Sequence, residues 1–204
     1  MSNLLVKAFR HLFLDRSYTH YYSKDQWEAM YEEGYELNKP QEDGRYGVLT
    51  QLLSRHVGAE PVLDVGCGEG LVATHLRRVS DVPLEGFDLS EKAIAIARSR
   101  NIPDCQYSAA GFDDVNPGEQ RYSVIVFNES LYYADDPALL VRKYQQWLAP
   151  KGVFLISMYD TVVTRRVWRS IANEGSVKQA VQVKDLESQL MWTLKILAPE
   201  RQEN

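Results

Sequence analysis

Pro61-Val62-Leu63-Asp64-Val65-Gly66-Cys67-Gly68-Glu69-Gly70 decides the reading of this chain. An apolar run bounded by Pro61 and Gly66 reads as a parallel strand covered on both faces, because such a strand has no solvent side and need not alternate. The glycines behind it let the backbone turn sharply and pass close to a ligand where a Cβ would interfere. Val72, Leu76 and Val79 then recur at i, i+4 and i+7. That spacing predicts a helix that begins as the turn ends, its N-terminus facing whatever the loop holds.

Downstream, strand patterns at residues 84–88, 105–108, 124–127 and 153–158 alternate with helical ones, the signature of a parallel α/β sheet. Ser90 is a good N-cap for a helix with Ala93, Ile94 and Ala97 facing inward. Asp136-Pro137 starts another, with Leu140, Tyr144, Trp147 and Leu148 as its buried face and Pro150 and Gly152 as its stop. Residues 161–173 read as a helix through Val163, Val167 and Ile171. Val181 and Val183, then Leu190, Trp192, Leu194 and Ile196, alternate with polar or intermediate residues, which predicts an antiparallel hairpin closing one edge. Upstream, Leu49, Leu52 and Leu53 give residues 43–57 one apolar helical face. The expected fold is α/β, with five parallel strands, a C-terminal antiparallel hairpin and helices on both faces.

Before that domain, taken as residues 43–204, stands a segment of different character, residues 1–42. Residues 2–14 place Leu5, Phe9, Leu12 and Phe13 at helical spacing, an amphipathic helix that packs on the domain or a second subunit, or less readily on a membrane surface. Tyr18, Tyr21, Tyr22, Trp27, Tyr31 and Tyr35 follow, ending near Lys39-Pro40. They read either as a cap over a pocket or as surface packing.

Composition narrows the class. In 204 residues, 23 Lys and Arg against 28 Asp and Glu give a net charge of −5, unlike a chain that depends on phosphate contacts, so no nucleic-acid partner is expected. The two cysteines, Cys67 and Cys105, are too few for a disulfide framework, and one sits in the glycine loop. With no long apolar run or signal-peptide pattern, the expected setting is the cytoplasm. His11, His20, His56 and His75 have no ligand spacing, so no metal is expected.

In an open α/β sheet, ligands sit beyond the carboxyl ends of the strands. Those ends carry Asp64 and the glycine loop, Asp88, then Phe112 and Asp113, then Asn128 and Glu129. An acid at the tip of the second strand suits a ribose diol, since a carboxylate accepts two hydroxyl hydrogen bonds at once. A dinucleotide fingerprint needs a third glycine where this chain has Leu71. Asp64 and Glu69 would also repel a pyrophosphate, whereas an amino-acid ammonium suits them. An NAD-dependent oxidoreductase is therefore the weaker reading.

With residues 62–70, Gly86-Phe87-Asp88-Leu89-Ser90 and Leu148-Ala149-Pro150-Lys151-Gly152-Val153-Phe154 in view, the chain resembles the class I S-adenosylmethionine-dependent methyltransferases. The resemblance implies a Rossmann-like methyltransferase sheet and an S-adenosylmethionine site, with S-adenosylhomocysteine as product. It places Asp64, Gly66, Cys67, Gly68, Gly70, Asp88, Leu89, Phe112, Asp113 and Asn128 at the cofactor. The family's usual acid for the adenine amino group falls at Ala109 or Ala110, which leaves Phe112 and Asp113 as the nearest substitutes. Asn128-Glu129-Ser130-Leu131-Tyr132-Tyr133 and Thr164-Arg165-Arg166-Val167-Trp168 also resemble NodS-type N-methyltransferases, which implies a small-molecule or saccharide-linked acceptor. By the same analogy the aromatic segment is a lid, with Trp27 and Tyr31 its main contributors.

Methyl transfer needs nucleophile, methyl and sulfur in line, water excluded, and a proton acceptor when the nucleophile is a hydroxyl or ammonium. Glu129 is the candidate base, against a reading in which it orders its loop. Asp160 is the second, against a helix cap. Tyr132 and Tyr133 either line the methyl site or fill core. A non-catalytic S-adenosylmethionine-binding regulator fits the same motifs. Oligomeric state is not legible in the sequence.

Overall fold

The computed structural model describes residues 22–35 and 42–200. The helix expected over residues 2–14, together with Tyr18, Tyr21, His11, His20 and Lys39-Pro40, lies outside them. The strands are β1 (Val62–Val65), β2 (Leu84–Asp88), β3 (Cys105–Ala109), β4 (Tyr122–Asn128), β5 (Leu148–Tyr159), β6 (Ser176–Lys184) and β7 (Met191–Ala198). The helices are α1 (Lys24–Glu32), α2 (Asp43–Ser54), α3 (Leu71–Leu76), α4 (Glu91–Ser99), α5 (Pro137–Gln145) and α6 (Val162–Ser170). None of the described helices is long and apolar enough to cross a membrane.

One seven-stranded sheet runs in the order β3-β2-β1-β4-β5-β7-β6. β1 to β5 pair in parallel, β7 runs antiparallel to β5, and β6 antiparallel to β7. The five parallel strands and the closing hairpin match the expectation. Trp192, Leu194 and Ile196 are buried on one side of β7, as their alternation requires. Successive residues of the central strands feed two separate apolar layers. Val62, Val124 and Leu155 pack with Leu49 and Leu53 of α2, Leu76 of α3 and Ile94 of α4. Leu63, Val65, Ile125, Phe127, Phe154 and Ile156 pack with Val141 and Tyr144 of α5 and Val167 of α6. Each fully buried side chain of this size contributes about 1.5–3 kcal/mol, so both faces of β1 and β4 anchor the strand tips.

Three local expectations are corrected. α3 stops at Leu76, and Val79 is 54% exposed. The Arg77 guanidinium turns back on the carbonyls of Ser80, Val82 and Pro103, which ends the helix and swings Val79 outward. Pro150 and Gly152 lie inside β5 rather than between helix and strand. Pairing with β4 steps from Tyr122↔Leu148 to Val124↔Val153, a bulge that takes a proline without a missing ladder bond. A Cβ on Gly152 would sit 2.7 Å from the Tyr122 carbonyl oxygen, so the close strand entry requires glycine. α2 also ends earlier than expected, at Ser54.

The chain moves from β1 outward to β3, then returns to β4 on the other side of β1. The crevice where this order reverses lies between the carboxyl ends of β1 and β4.

Candidate active site

Gly66 and Cys67 turn the chain out of β1 by donating their amides to the Phe87 carbonyl, at 2.7 and 2.8 Å. Gly66 has φ +77°, and a Cβ there would lie 2.5 Å from Ser130 Cβ, so the loop and the β4 turn touch through a hydrogen. Gly68 N donates to Asp88 Oδ2 at 2.8 Å and Ser90 N to Oδ1 at 2.9 Å. The carboxylate at the tip of β2 thus ties the glycine loop to the start of α4. A carboxylate has about four lone-pair sites, so two remain for a ligand. Burial raises the Asp88 carboxyl, while the amides of Ser90 and Gly68 oppose the rise.

Beneath the loop, Asp64 is wholly buried, and neither of its oxygens has a hydrogen-bond partner among the described residues. Tyr107 Oη is equally unpartnered there. Burial, helped by the Asp88 charge, pushes the Asp64 carboxyl up to about 8. A buried polar group without a partner implies an ordered water or a ligand group that completes it. The orphaned carboxylate, and a glycine cradle that a Cβ would fill, fit a nucleoside bearing an amino-acid end. Glu69 does not add to this acidity as its sequence position suggested. Its carboxylate accepts from Arg100 Nη2 at 2.9 Å, on the α4 side of the loop. Cys67 stays a buried thiol, raised well above its ordinary value by burial, with Sγ 3.7 Å from the Gly68 carbonyl oxygen.

At the tip of β4, Glu129 adopts φ +56°, a left-handed conformation uncommon for a residue with a side chain. Its carboxylate accepts from Ser157 Oγ at 3.2 Å, Tyr159 N at 3.0 Å and Tyr132 Oη at 3.4 Å. Burial pushes Glu129 up to about 7, against the pull of Arg45 and of the Tyr159 and Ser157 donors. Asn128, expected at the cofactor, has its side-chain amide turned to α2 instead. Oδ1 accepts from Arg45 Nη1, and Nδ2 donates to Tyr46 Oη at 3.4 Å. Sequence reasoning missed Arg45 altogether. The signal was present, since Arg45 heads the stripe formed with Leu49 and Leu52 at i, i+4 and i+7, where an arginine must be buried and partnered.

α1 brings the expected aromatic residues over these tips. Trp27 lies 5.3 Å from Tyr133 edge-on and 5.2 Å from Tyr22, centroid to centroid. Tyr132 packs on Tyr133 at 4.5 Å, and Tyr31 on Tyr35 at 5.9 Å. The Tyr31 hydroxyl is raised by burial and then by the charges of Asp88 and Glu69, which puts this ring on the side of the β2 acid. Ser23 and Gln26 form a capping box that starts α1, and Glu28 accepts from Glu91 N at 2.6 Å, fastening α1 to α4.

Besides Asn128, three expected site residues have their side chains engaged elsewhere. The Asp113 side chain is 93% exposed and faces Lys143 Nζ at 3.3 Å. Phe112 packs on the α5 side of the sheet, and its carbonyl accepts from Tyr144 Oη at 3.0 Å. Asp114 Oδ2 instead lies 3.0 Å from where a Gly111 Cβ would stand, with Leu89 Cδ1 at 3.7 Å from the same point. Asp160 is held below its usual range by a two-point pair with Arg165 at 2.8 and 2.9 Å. A carboxylate so tied is a poor base. The second NodS-like stretch is explained by capping and packing: Thr161 and Thr164 cap α6, and Trp168 lies 4.2 Å under Lys195 Nζ.

Comparison with known proteins gives the family and the fold. The methyltransferase-domain family matches residues 40–193. Trans-aconitate 2-methyltransferase of Yersinia pseudotuberculosis serotype O:1b (strain IP 31758) is 32% identical over 138 residues, 65% of this chain and 53% of that protein. Ubiquinone biosynthesis O-methyltransferase of Neisseria meningitidis serogroup A is 30% identical over 101 residues, 47% of this chain and 42% of its own. The chain thus spans about half the length of the curated relatives it matches. Among solved structures, N-methyltransferase NodS from Bradyrhizobium japonicum WM9, in complex with S-adenosyl-l-homocysteine, has a TM-score of 0.67 at 19% identity, covering 96% of this chain and 98% of its own. At that identity the likeness speaks for the fold.

Proposed function

The chain belongs to the class I S-adenosylmethionine-dependent methyltransferases, and from that premise we propose that it methylates a nitrogen or oxygen atom of a small-molecule or saccharide-linked acceptor, with Glu129 taking the acceptor's proton. One observation carries this reading. A carboxylate raised to about 7 stands at the tip of β4 on a left-handed backbone residue, beside Tyr132 and Tyr133 and under Trp27. Environments that move a carboxyl toward working pH are how proteins prepare a general base.

S-adenosylmethionine, when bound, supplies a methyl group on a sulfonium. The chain's own tasks are to hold, orient, dry and deprotonate. The free lone pairs of Asp88 suit the ribose hydroxyls, and the Gly66–Gly70 turn lets the backbone approach. Asp64 offers a carboxylate to the amino-acid end through whatever completes its hydrogen bonds. α1 and the Tyr132–Tyr133 turn exclude water from the β4 tip. Glu129 accepts the proton of a hydroxyl as that group attacks, or of an ammonium before the freed amine attacks, its charge tempered by Arg45. The acceptor class draws on the relatives' names, two of them small-molecule methyltransferases, and on the NodS-like run at residues 128–133.

The test is Glu129→Gln. Loss of a positioned general base lowers turnover by roughly 10²–10⁴-fold. S-adenosylhomocysteine formation should fall on that scale across a panel of amines, phenols, carboxylates and amino sugars, with cofactor affinity nearly unchanged. In the parent chain the rate should rise with pH through about 7, because the base works ionised. Full turnover in the variant would sink the assignment.

A further inference from the structure

Arg45 is 1% exposed, and a charge that deep is costly unless partnered. Its guanidinium donates through Nη2 to Glu42 and through Nη1 to Asn128 Oδ1, with Ser157 Oγ at 3.5 Å. It lies 4.4 Å from the Tyr46 ring centroid and 5.7 Å from that of Trp192. Ser157 Oγ in turn donates a hydrogen bond to Glu129 Oε1 at 3.2 Å. Arg45 therefore holds the side chain of residue 128 directly and that of residue 129 through one hydroxyl, across the point where the backbone turns left-handed. Among the described residues, the titratable groups around Glu129 are Arg45 and Glu42 at the start of α2, Tyr35 after α1, Tyr132 and Tyr133 of the turn, and Tyr159 of β5. Arg45 is the one cation in that set.

We propose that Arg45 is a positioning residue for the methyl transfer, acting through Asn128 and Ser157 to fix the direction of the Glu129 carboxylate and to keep its ionised form accessible. This rests on Glu129 as the acceptor's base. Burial alone would carry the Glu129 carboxyl higher, and the guanidinium opposes it. A solely structural Arg45 would stabilise the chain without setting where the rate begins to rise with pH.

Three variants test it: Arg45→Gln, Arg45→Lys and Ser157→Ala. Removing an opposite charge at this range moves a carboxyl by about 1–3 units. The acid limb of the pH–rate profile of Arg45→Gln should move upward on that scale, and Arg45→Lys, which keeps the charge, should bring most of it back. Ser157→Ala should move the limb in the same direction by a smaller step, and it carries the test if Arg45→Gln does not fold. Carboxyl ¹³C titration, with the Glu129 signal assigned by its loss in Glu129→Gln, separates the two readings. A Glu129 midpoint unmoved by Arg45→Gln in folded protein, or by Ser157→Ala where that variant must stand in, overturns the role given to Arg45. A midpoint that moves while the rate limb stays overturns Glu129 as the base.

Discussion

Asp64 shows what a single orphaned side chain does to the molecule. Its carboxyl is raised from an ordinary 3.8 to about 8, so the folded state holds that proton more tightly than the unfolded chain. The stability this gives is full below about pH 4 and is lost as pH rises through about 8. Glu129, raised to about 7, acts in the same direction over a lower window. Asp64→Asn, which cannot ionise, should flatten the fall in Tm between about pH 4 and 8. Parallel melting curves for the two proteins across that range would show that Asp64 does not titrate there. Asp88 gives the companion prediction. Asp88→Ala removes the bonds to Gly68 N and Ser90 N as well as the ribose acceptor, and should weaken S-adenosylmethionine binding by about 1–3 kcal/mol in calorimetry. Unchanged affinity would mean that the β2 tip is not the ribose site. Asp64 and Asp88 were legible in the sequence because glycine spacing and strand ends locate them. Asp113 was not, because a turn residue's sequence position does not say which way its side chain points.

Among the elements, α1 depends on few attachments. Its ion pairs with α4, Lys24 to Glu91 and Lys92 to Glu32, are solvent-exposed, and such pairs contribute about 0–1 kcal/mol. Glu28 is different, for it accepts from Glu91 N and Lys92 N where the dipole of α4 favours an anion. Among the described residues, α1 is also held by a seam of ring contacts, from Tyr22 through Trp27 to Tyr133 and from Tyr31 to Tyr35. Glu28→Ala should therefore speed amide exchange across residues 24–32 and change Trp27 emission, while raising the salt concentration alone should do little. Exchange rates identical to the parent chain's would show that the seam alone holds α1. The sequence exposed the aromatics, but not the Ser23–Gln26 capping box that starts α1, nor the Glu28 tether, which joins residues far apart in the chain. The bulge at the start of β5 escaped for a related reason: Pro150 and Gly152 are ordinary helix stops, and only pairing with Tyr122 makes them strand residues.

At the scale of the molecule, the five parallel strands and the edge hairpin were readable because strands joined by helices leave few arrangements, and a period-two pair at the end closes an edge, whereas the strand order came from the structure. The crevice between β1 and β4 follows from the strand order, and a cofactor bound as proposed would touch β1, β2 and β4 together. Binding should then stabilise the whole domain rather than one loop. At a hundred times Kd a ligand adds about 2.7 kcal/mol. For a chain of this size that corresponds to roughly 5–10 °C in Tm, since 1 kcal/mol moves a domain of 150–250 residues by about 2–4 °C. S-adenosylmethionine and S-adenosylhomocysteine should both give such a shift, and NAD should give none, because Leu71 stands where a dinucleotide loop needs glycine. A shift with NAD alone would contradict the cofactor assignment. A shift with S-adenosylmethionine, but no S-adenosylhomocysteine formed with any acceptor of the panel, would make the chain a binding protein. Acid in the crevice argues for turnover, because a regulator needs Asp88 but has no use for a carboxylate raised to about 7 under the Tyr132 hydroxyl.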